Sequence, residues 1–238
     1  MKGGEKVCLA LDFPNRAEVL AAARLFSGRV GWFKIGLEAF TSEGPRLVGE
    51  VAAEGARVFL DLKLHDIPAT VERAVAAAAR SGAAMINVHA FGGRAMLEAA
   101  RRGAASTPAV KLIAVTLLTS LDSPALADLP VAGHPEGIVR RLAQLARDCG
   151  LDGVVCAAPD LPVVRGACGP GFLTVVPGIR PAGSPESDQK RVASPAQALA
   201  AGADLLVVGR PVLAAPDPDR ALDELLLEIE SACGQEDS

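Results

Sequence analysis

Eight short apolar runs, separated by amphipathic or turn-rich stretches, constrain this chain of 238 residues more than any other feature. They cover 6–12, 30–37, 57–64, 84–90, 110–118, 152–158, 172–179 and 204–210. Most are continuously apolar rather than alternating, the pattern of parallel strands buried on both faces. Helical stretches lie between them. Asn15 is placed to cap a helix over 16–26, and further helices are expected over 43–53, 68–81, 93–102 and 135–149. Ser194-Pro195-Ala196-Gln197 reads as a capping box with proline at the first helical position. A last helix runs from about 217 to about 231. Eight βα units in a chain of this length imply an α/β fold, a single (β/α)8 TIM barrel, over residues 1–238 as one domain. A doubly wound open sheet is the alternative. It would more often carry Gly-x-Gly-x-x-Gly after the first strand, where this chain reads Ala10-Leu-Asp-Phe-Pro14.

In a barrel, chemistry gathers at the C-terminal ends of the strands. The third run supplies the densest charge: Arg57-Val-Phe-Leu-Asp-Leu-Lys-Leu-His-Asp-Ile-Pro-Ala-Thr70 sets Asp61 and Lys63 into apolar sequence, with Asp66 just beyond. Residues two apart on a strand share a face, so the carboxylate and ammonium are expected together, with the lysine held between two acids. Such charges are costly in an apolar setting unless paired. A structural ion triad is one reading; three charges at one strand end favour a site. Other strand ends contribute Asp12, Lys34, His89, Thr116 with Thr119 and Ser120, Arg180, and Gly209-Arg210. Each has a plain packing or capping explanation alone. Together they point to a polar small-molecule pocket. Gly209-Arg210 after the eighth strand suggests a phosphate site, where backbone N–H groups and a two-pronged guanidinium meet an anion. The Gly- and Pro-rich stretch 177–189 is long for a βα loop and suits a lid, a floppy connector being the alternative.

Composition narrows the partners. The net charge of −4 is spread without a basic stripe, and aromatics are 3%. Neither nucleic-acid binding nor base stacking is expected. No apolar run is long enough to span a bilayer, and the N-terminus lacks a signal-peptide core, so a cytoplasmic protein without membrane contact is expected. Five scattered cysteines and three histidines show no ligand spacing. Structural metal and disulfides are therefore not expected, and the cysteines read as buried fillers.

Phe59-Leu-Asp-Leu-Lys-Leu-His-Asp-Ile-Pro68 resembles the signature of the orotidine 5′-phosphate decarboxylase family. Ala10-Leu-Asp12, Phe33-Lys-Ile-Gly36, Asn87-Val-His-Ala90, Val115-Thr-Leu-Leu-Thr-Ser120, Pro177-Gly-Ile-Arg-Pro181, Asp188-Gln189 and Gly209-Arg-Pro211 match its other motifs in order. The resemblance implies decarboxylation of orotidine 5′-monophosphate to uridine 5′-monophosphate (UMP), the last step of de novo pyrimidine synthesis, without metal or organic cofactor. It implies Lys63 as proton donor to C6 and Asp61 beside the departing carboxylate. Asp66, with Thr70 near it, is expected to reach across a homodimer interface into the neighbouring site. Asp12 and Lys34 are expected on ribose hydroxyls, Lys34 also completing the charge network. Thr119 and Ser120 belong to the pyrimidine edge, Pro177 to the substrate pocket, and Arg180, Gln189, Gly209 and Arg210 to the phosphate.

Three other readings fit some of the same residues. A Schiff-base aldolase needs a neutral lysine, which flanking acids oppose. A magnesium-dependent sugar-phosphate decarboxylase shares Asp-x-Lys-x-x-Asp but not the motifs at 118–120 and 177–189. A non-catalytic nucleotide sensor has no use for an intact charge cluster.

Overall fold

The computed structural model describes residues 3–121, 123–131, 133–181 and 191–234. Eight strands form: β1 (Val7–Ala10), β2 (Trp32–Ile35), β3 (Arg57–Leu64), β4 (Met85–His89), β5 (Lys111–Val115), β6 (Gly153–Val155), β7 (Leu173–Val176) and β8 (Leu205–Val208). Each falls inside one of the eight apolar runs. They pair in parallel, in sequence order, and β8 closes on β1. The (β/α)8 barrel is therefore realised, and the open-sheet alternative is excluded.

The helices are α1 (Arg16–Leu25), α2 (Leu37–Glu43), α3 (Arg46–Ala52), α4 (Pro68–Ala79), α5 (Gly93–Ala104), α6 (Ser123–Ala127), α7 (Pro135–Asp148), α8 (Leu161–Cys168), α9 (Pro195–Ala200), α10 (Arg210–Leu213) and α11 (Pro218–Gly234). Local chemistry explains their starts. The Asn15 carboxamide oxygen accepts from Glu18 N–H at 3.0 Å. Ser194 and Gln197 form the reciprocal capping box, at 3.1 and 2.9 Å. Proline occupies the first turn of α4, α7 and α9. Some expectations need correction. The helix expected over 43–53 is α3 alone, and α2 before it was not expected; Gly44 at φ 74° and Pro45 separate the two. Residues 123–127, 161–168 and 210–213 are also helical where no helix was expected. Val163, Val164 and Gly166 weaken the helical signal of α8, and four residues leave no periodicity in α10.

Two apolar layers hold the barrel. Inside lie Cys8, Ala10, Trp32, Phe59, Met85, Ile113, Val115, Val155, Val175, Leu205 and Val207. The larger layer joins outward strand residues, such as Leu9, Phe33, Leu60, Ile86 and Val208, to the buried helix faces. Side chains alternate between the two layers along each strand. The inner stack fills the lower barrel, so a polar residue two positions beyond an inner one emerges near the mouth. All five cysteines are free thiols; Cys8, Cys149 and Cys156 are buried, while Cys168 and Cys233 are only partly so.

Candidate active site

β2 and β3 deliver the charged centre. Trp32 and Phe59 face the barrel interior, so Lys34 and Asp61, two positions on, face the same way. Lys34 Nζ lies 2.8 Å from Asp12 Oδ1 and 3.6 Å from Asp61 Oδ2. Lys63 Nζ lies 2.7 Å from Asp61 Oδ1. Within the chain, the lysine flanked by two acids is thus Lys34. Among the described ion pairs Lys63 meets Asp61 and not Asp66, whose Oδ1 instead accepts from Ile67 N–H at 2.6 Å.

Burial alone would push the Asp61 carboxyl up, but Lys34 and Lys63 outweigh it, helped by hydrogen bonds from Lys63 and Asn87, and hold it below the usual carboxylate range. Burial likewise disfavours the Lys34 ammonium, but Asp61 and Asp12 overcome that cost and raise its pKa. Both groups are charged at neutral pH. Gly36 allows this close packing: a Cβ there would stand 2.8 Å from Asp12 Oδ1 and 3.0 Å from Lys34 Nζ.

Lys63 is not held by ordinary strand geometry. Its φ is +50°, the one left-handed non-glycine residue among those described. The β3–β4 ladder runs Leu60↔Ile86 and then Leu64↔Val88, so two extra residues bulge from β3. Simple alternation therefore reached the right partner by an incomplete route: the bulge swings Lys63 back onto Asp61. Asn87 on β4 fastens the bulge. Its Oδ1 accepts from Lys63 N–H at 2.7 Å, and its Nδ2 donates to Asp61 Oδ1 at 2.6 Å. The side chain is fully buried. The sequence assigns no role to Asn87; its signals are its place at the head of the motif Asn87-Val-His-Ala90 and a lone amide in the apolar run over 84–90.

These groups open into a cavity of about 380 Å³ at the barrel mouth. It collects Asp12, Lys34, Asp61, Lys63, Thr119, Pro177, Arg180, Gly209 and Arg210, with an apolar floor including Phe59, Val115, Val155 and Val207. Four cationic side chains face two carboxylates, a balance suited to an anionic ligand. Arg180 and Arg210 follow β7 and β8, across the mouth from β3. The ends of the loop after β7 are tied by an Ile179–Ala193 bridge, with Arg180 N–H donating to Ala193 O at 2.9 Å.

A family model described as orotidine 5′-phosphate decarboxylase / HUMPS family matches residues 5–225. The chain belongs to this family. It is 54% identical over 221 residues to the orotidine 5′-phosphate decarboxylase of Anaeromyxobacter sp. (strain K), covering 93% of this chain and 96% of that protein. It is 48% identical over 225 residues to that of Nitrosococcus oceani, covering 94% and 97%. The crystal structure of orotidine 5′-phosphate decarboxylase from Lactobacillus acidophilus superposes with a TM-score of 0.81 at 33% identity, covering 94% of this chain and 99% of that one.

Three expected site residues of this decarboxylase-family chain, Asp66, Thr70 and Ser120, lie apart from the cavity lining. Asp66 is exposed on the shoulder beyond β3, and Thr70 is partly buried in the first turn of α4. Ser120 adjoins Thr119 on the rim without lining the cavity. Gln189, with most of the expected lid, lies outside the described residues. His89 and Cys156 do not line the cavity either. His89 stacks on His65 with ring centroids 5.5 Å apart, and its buried Nδ1 finds no hydrogen-bond partner among the described residues.

Proposed function

We propose that this chain converts orotidine 5′-monophosphate to UMP and CO2 with Lys63 as the proton donor to C6. The observation that carries the proposal is the Lys34–Asp61–Lys63 chain of contacts at 3.6 and 2.7 Å in a cationic cavity. Loss of CO2 leaves an electron pair on C6 that the ring cannot delocalise. Fixed charge is then the means of stabilisation, and barrier lowering on the order of 20 kcal/mol is needed. The Lys63 ammonium meets the developing carbanion and transfers its proton to C6. Asp61 holds that ammonium in place beside the departing carboxylate. Lys34 neutralises the far side of Asp61 and, with Asp12, takes the ribose hydroxyls. Thr119 and Ser120 address the pyrimidine edge. Pro177 walls the pocket, and Arg180, Gln189, Gly209 and Arg210 hold the phosphate. Binding energy gathered at that remote phosphate supports organisation of the reacting end.

The same reading makes the working form a homodimer in the cytoplasm, with Asp66 and Thr70 of the partner subunit completing each site. What supports it is the shoulder beside the cavity. His65, Asp66 and Ala69 are exposed, Ile67 is 67% exposed, and Phe91 and Leu118 on the adjoining strand ends are also open. Apolar side chains grouped beside a site mark an interaction surface. Mixing Lys63→Ala and Asp66→Ala subunits would then create one intact site per mixed dimer and restore about a quarter of wild-type activity. No recovery in mixed dimers contradicts the shared site.

The activity itself is tested by the fall in orotidine 5′-monophosphate absorbance on adding purified protein, with and without chelator. Turnover unaffected by chelator is expected. Binding without turnover sinks the proposal, and turnover abolished by chelator sinks its cofactor-free form.

A further inference from the structure

We propose that Asn87 is a positioning residue for decarboxylation, a two-way amide clamp that sets both the Asp61 carboxylate and the Lys63 backbone. The inference rests on the reading of Asp61 and Lys63 given above. Asn87 does not line the cavity, so it acts through these two residues and not on the substrate.

Three observations converge on it. First, both ends of the carboxamide are used on the reactive pair: Oδ1 takes the Lys63 N–H at 2.7 Å and Nδ2 gives to Asp61 Oδ1 at 2.6 Å. Its orientation follows from chemistry alone. A flipped amide would set NH2 against an N–H and a carbonyl against a carboxylate. Second, the Lys63 backbone lies in a left-handed conformation that a non-glycine residue adopts only when its surroundings impose it. The ladder to β4 is interrupted between Leu60 and Leu64, so the Asn87 side chain supplies the missing acceptor for the Lys63 N–H. Third, Asp61 Oδ1 receives both Asn87 Nδ2 and Lys63 Nζ, while Oδ2 faces Lys34. The amide therefore fixes the carboxylate rotation that divides the two oxygens between the two lysines.

An aliphatic residue of similar size has neither function. An aspartate has them only when protonated, as an acid that donates its O–H to Asp61 and accepts from Lys63 N–H. Ionised, it would oppose the Asp61 charge at hydrogen-bond distance.

The test compares Asn87→Leu, Asn87→Asp and Lys63→Ala with the wild-type protein. Each is measured for kcat against orotidine 5′-monophosphate and for UMP affinity by calorimetry. For Asn87→Leu the expected result is a kcat loss on the order of 100-fold, as for a small displacement of reacting groups. UMP affinity stays within about 3-fold, because the product makes no demand on carboxylate alignment. For Asn87→Asp, kcat relative to wild type recovers as the pH falls from about 8 to about 5, when the new carboxyl protonates. Asn87→Leu shows no such recovery. A kcat for Asn87→Leu within a few-fold of wild type overturns the inference. So does a loss of kcat and UMP affinity together in both variants at every pH, which marks a packing role alone. If Lys63→Ala retains turnover, the underlying reading of Lys63 fails. If Lys63→Ala is inactive while Asn87→Leu is normal, only the positioning role fails.

Discussion

Replacing Asp61 with Asn removes one charge and almost no volume, which isolates the electrostatics of the site. At an effective dielectric near 20, the Asp61 contacts to Lys63 at 2.7 Å and Lys34 at 3.6 Å are worth roughly 6 and 5 kcal/mol before desolvation. Lys63 is partly exposed and water compensates for much of its loss. Lys34 has a side chain only 10% exposed and, among the described ion pairs, keeps Asp12, itself half-open to solvent. Stranding a buried ammonium in this way costs about 3–5 kcal/mol of folding stability. In a chain of this size that lowers the melting temperature by roughly 6–20 °C. The sign of the pH dependence is specific. In the wild-type protein, the raised Lys34 pKa gives stability that is full below the unfolded value and lost only as strongly alkaline pH is reached. Without Asp61, the largest of the charges that oppose the burial cost, the folded Lys34 pKa falls from its wild-type position. The melting deficit of the variant then narrows as alkaline pH neutralises Lys34. Differential scanning fluorimetry across pH, with the wild type in parallel, checks both features. A variant that melts within about 2 °C of wild type at neutral pH refutes the argument. A deficit that widens with alkalinity refutes the assignment of the cost to Lys34.

Two further outcomes follow from single positions. Gly36→Ala keeps an accessible backbone, φ −92° and ψ −174°, but places Cβ inside ordinary contact of Asp12 Oδ1 and Lys34 Nζ. Disrupting that charge-assisted hydrogen bond, worth about 1.5–3 kcal/mol, should raise KM by on the order of 10-fold or more; an unchanged KM contradicts the ribose role of this pair. His89 is pushed down to about 4, mainly by burial, then by His65 and Lys63. The unfolded imidazole titrates near 6.5, so the stability His89 contributes is full above that pH and falls as pH drops toward about 4. Melting temperatures of His89→Gln should therefore decline less between about pH 7 and pH 5 than those of the wild type, and parallel declines would remove His89 as the cause.

Much of this architecture was legible in the chain because its strands are buried on both faces. The centres of runs such as 110–118 and 204–210, Leu112–Val115 and Leu205–Val208, are continuously apolar, as strands of a parallel sheet under helices are. Asp61 and Lys63 stood out against that background as charges in need of partners. What escaped the sequence depends on neighbours far along the chain. The left-handed Lys63 follows from a two-residue bulge whose acceptor, Asn87, comes from another strand 24 residues away. α8 was missed because Val163, Val164 and Gly166 are poor helix formers held in place by packing of Leu161 and Val164. Within one chain the lysine between two acids is Lys34, since Asp12 approaches it through β1–β2 pairing that no local pattern displays.

The proposed source of the proton at C6 of the pyrimidine is the Lys63 ammonium, fixed by Asp61. A crystal structure with UMP bound tests this. Lys63 Nζ is expected about 3–3.5 Å from C6, with Asp61 retained on the same ammonium. A ring bound in the cavity with C6 more than about 5 Å from Lys63 Nζ, and another acid nearer, would contradict it.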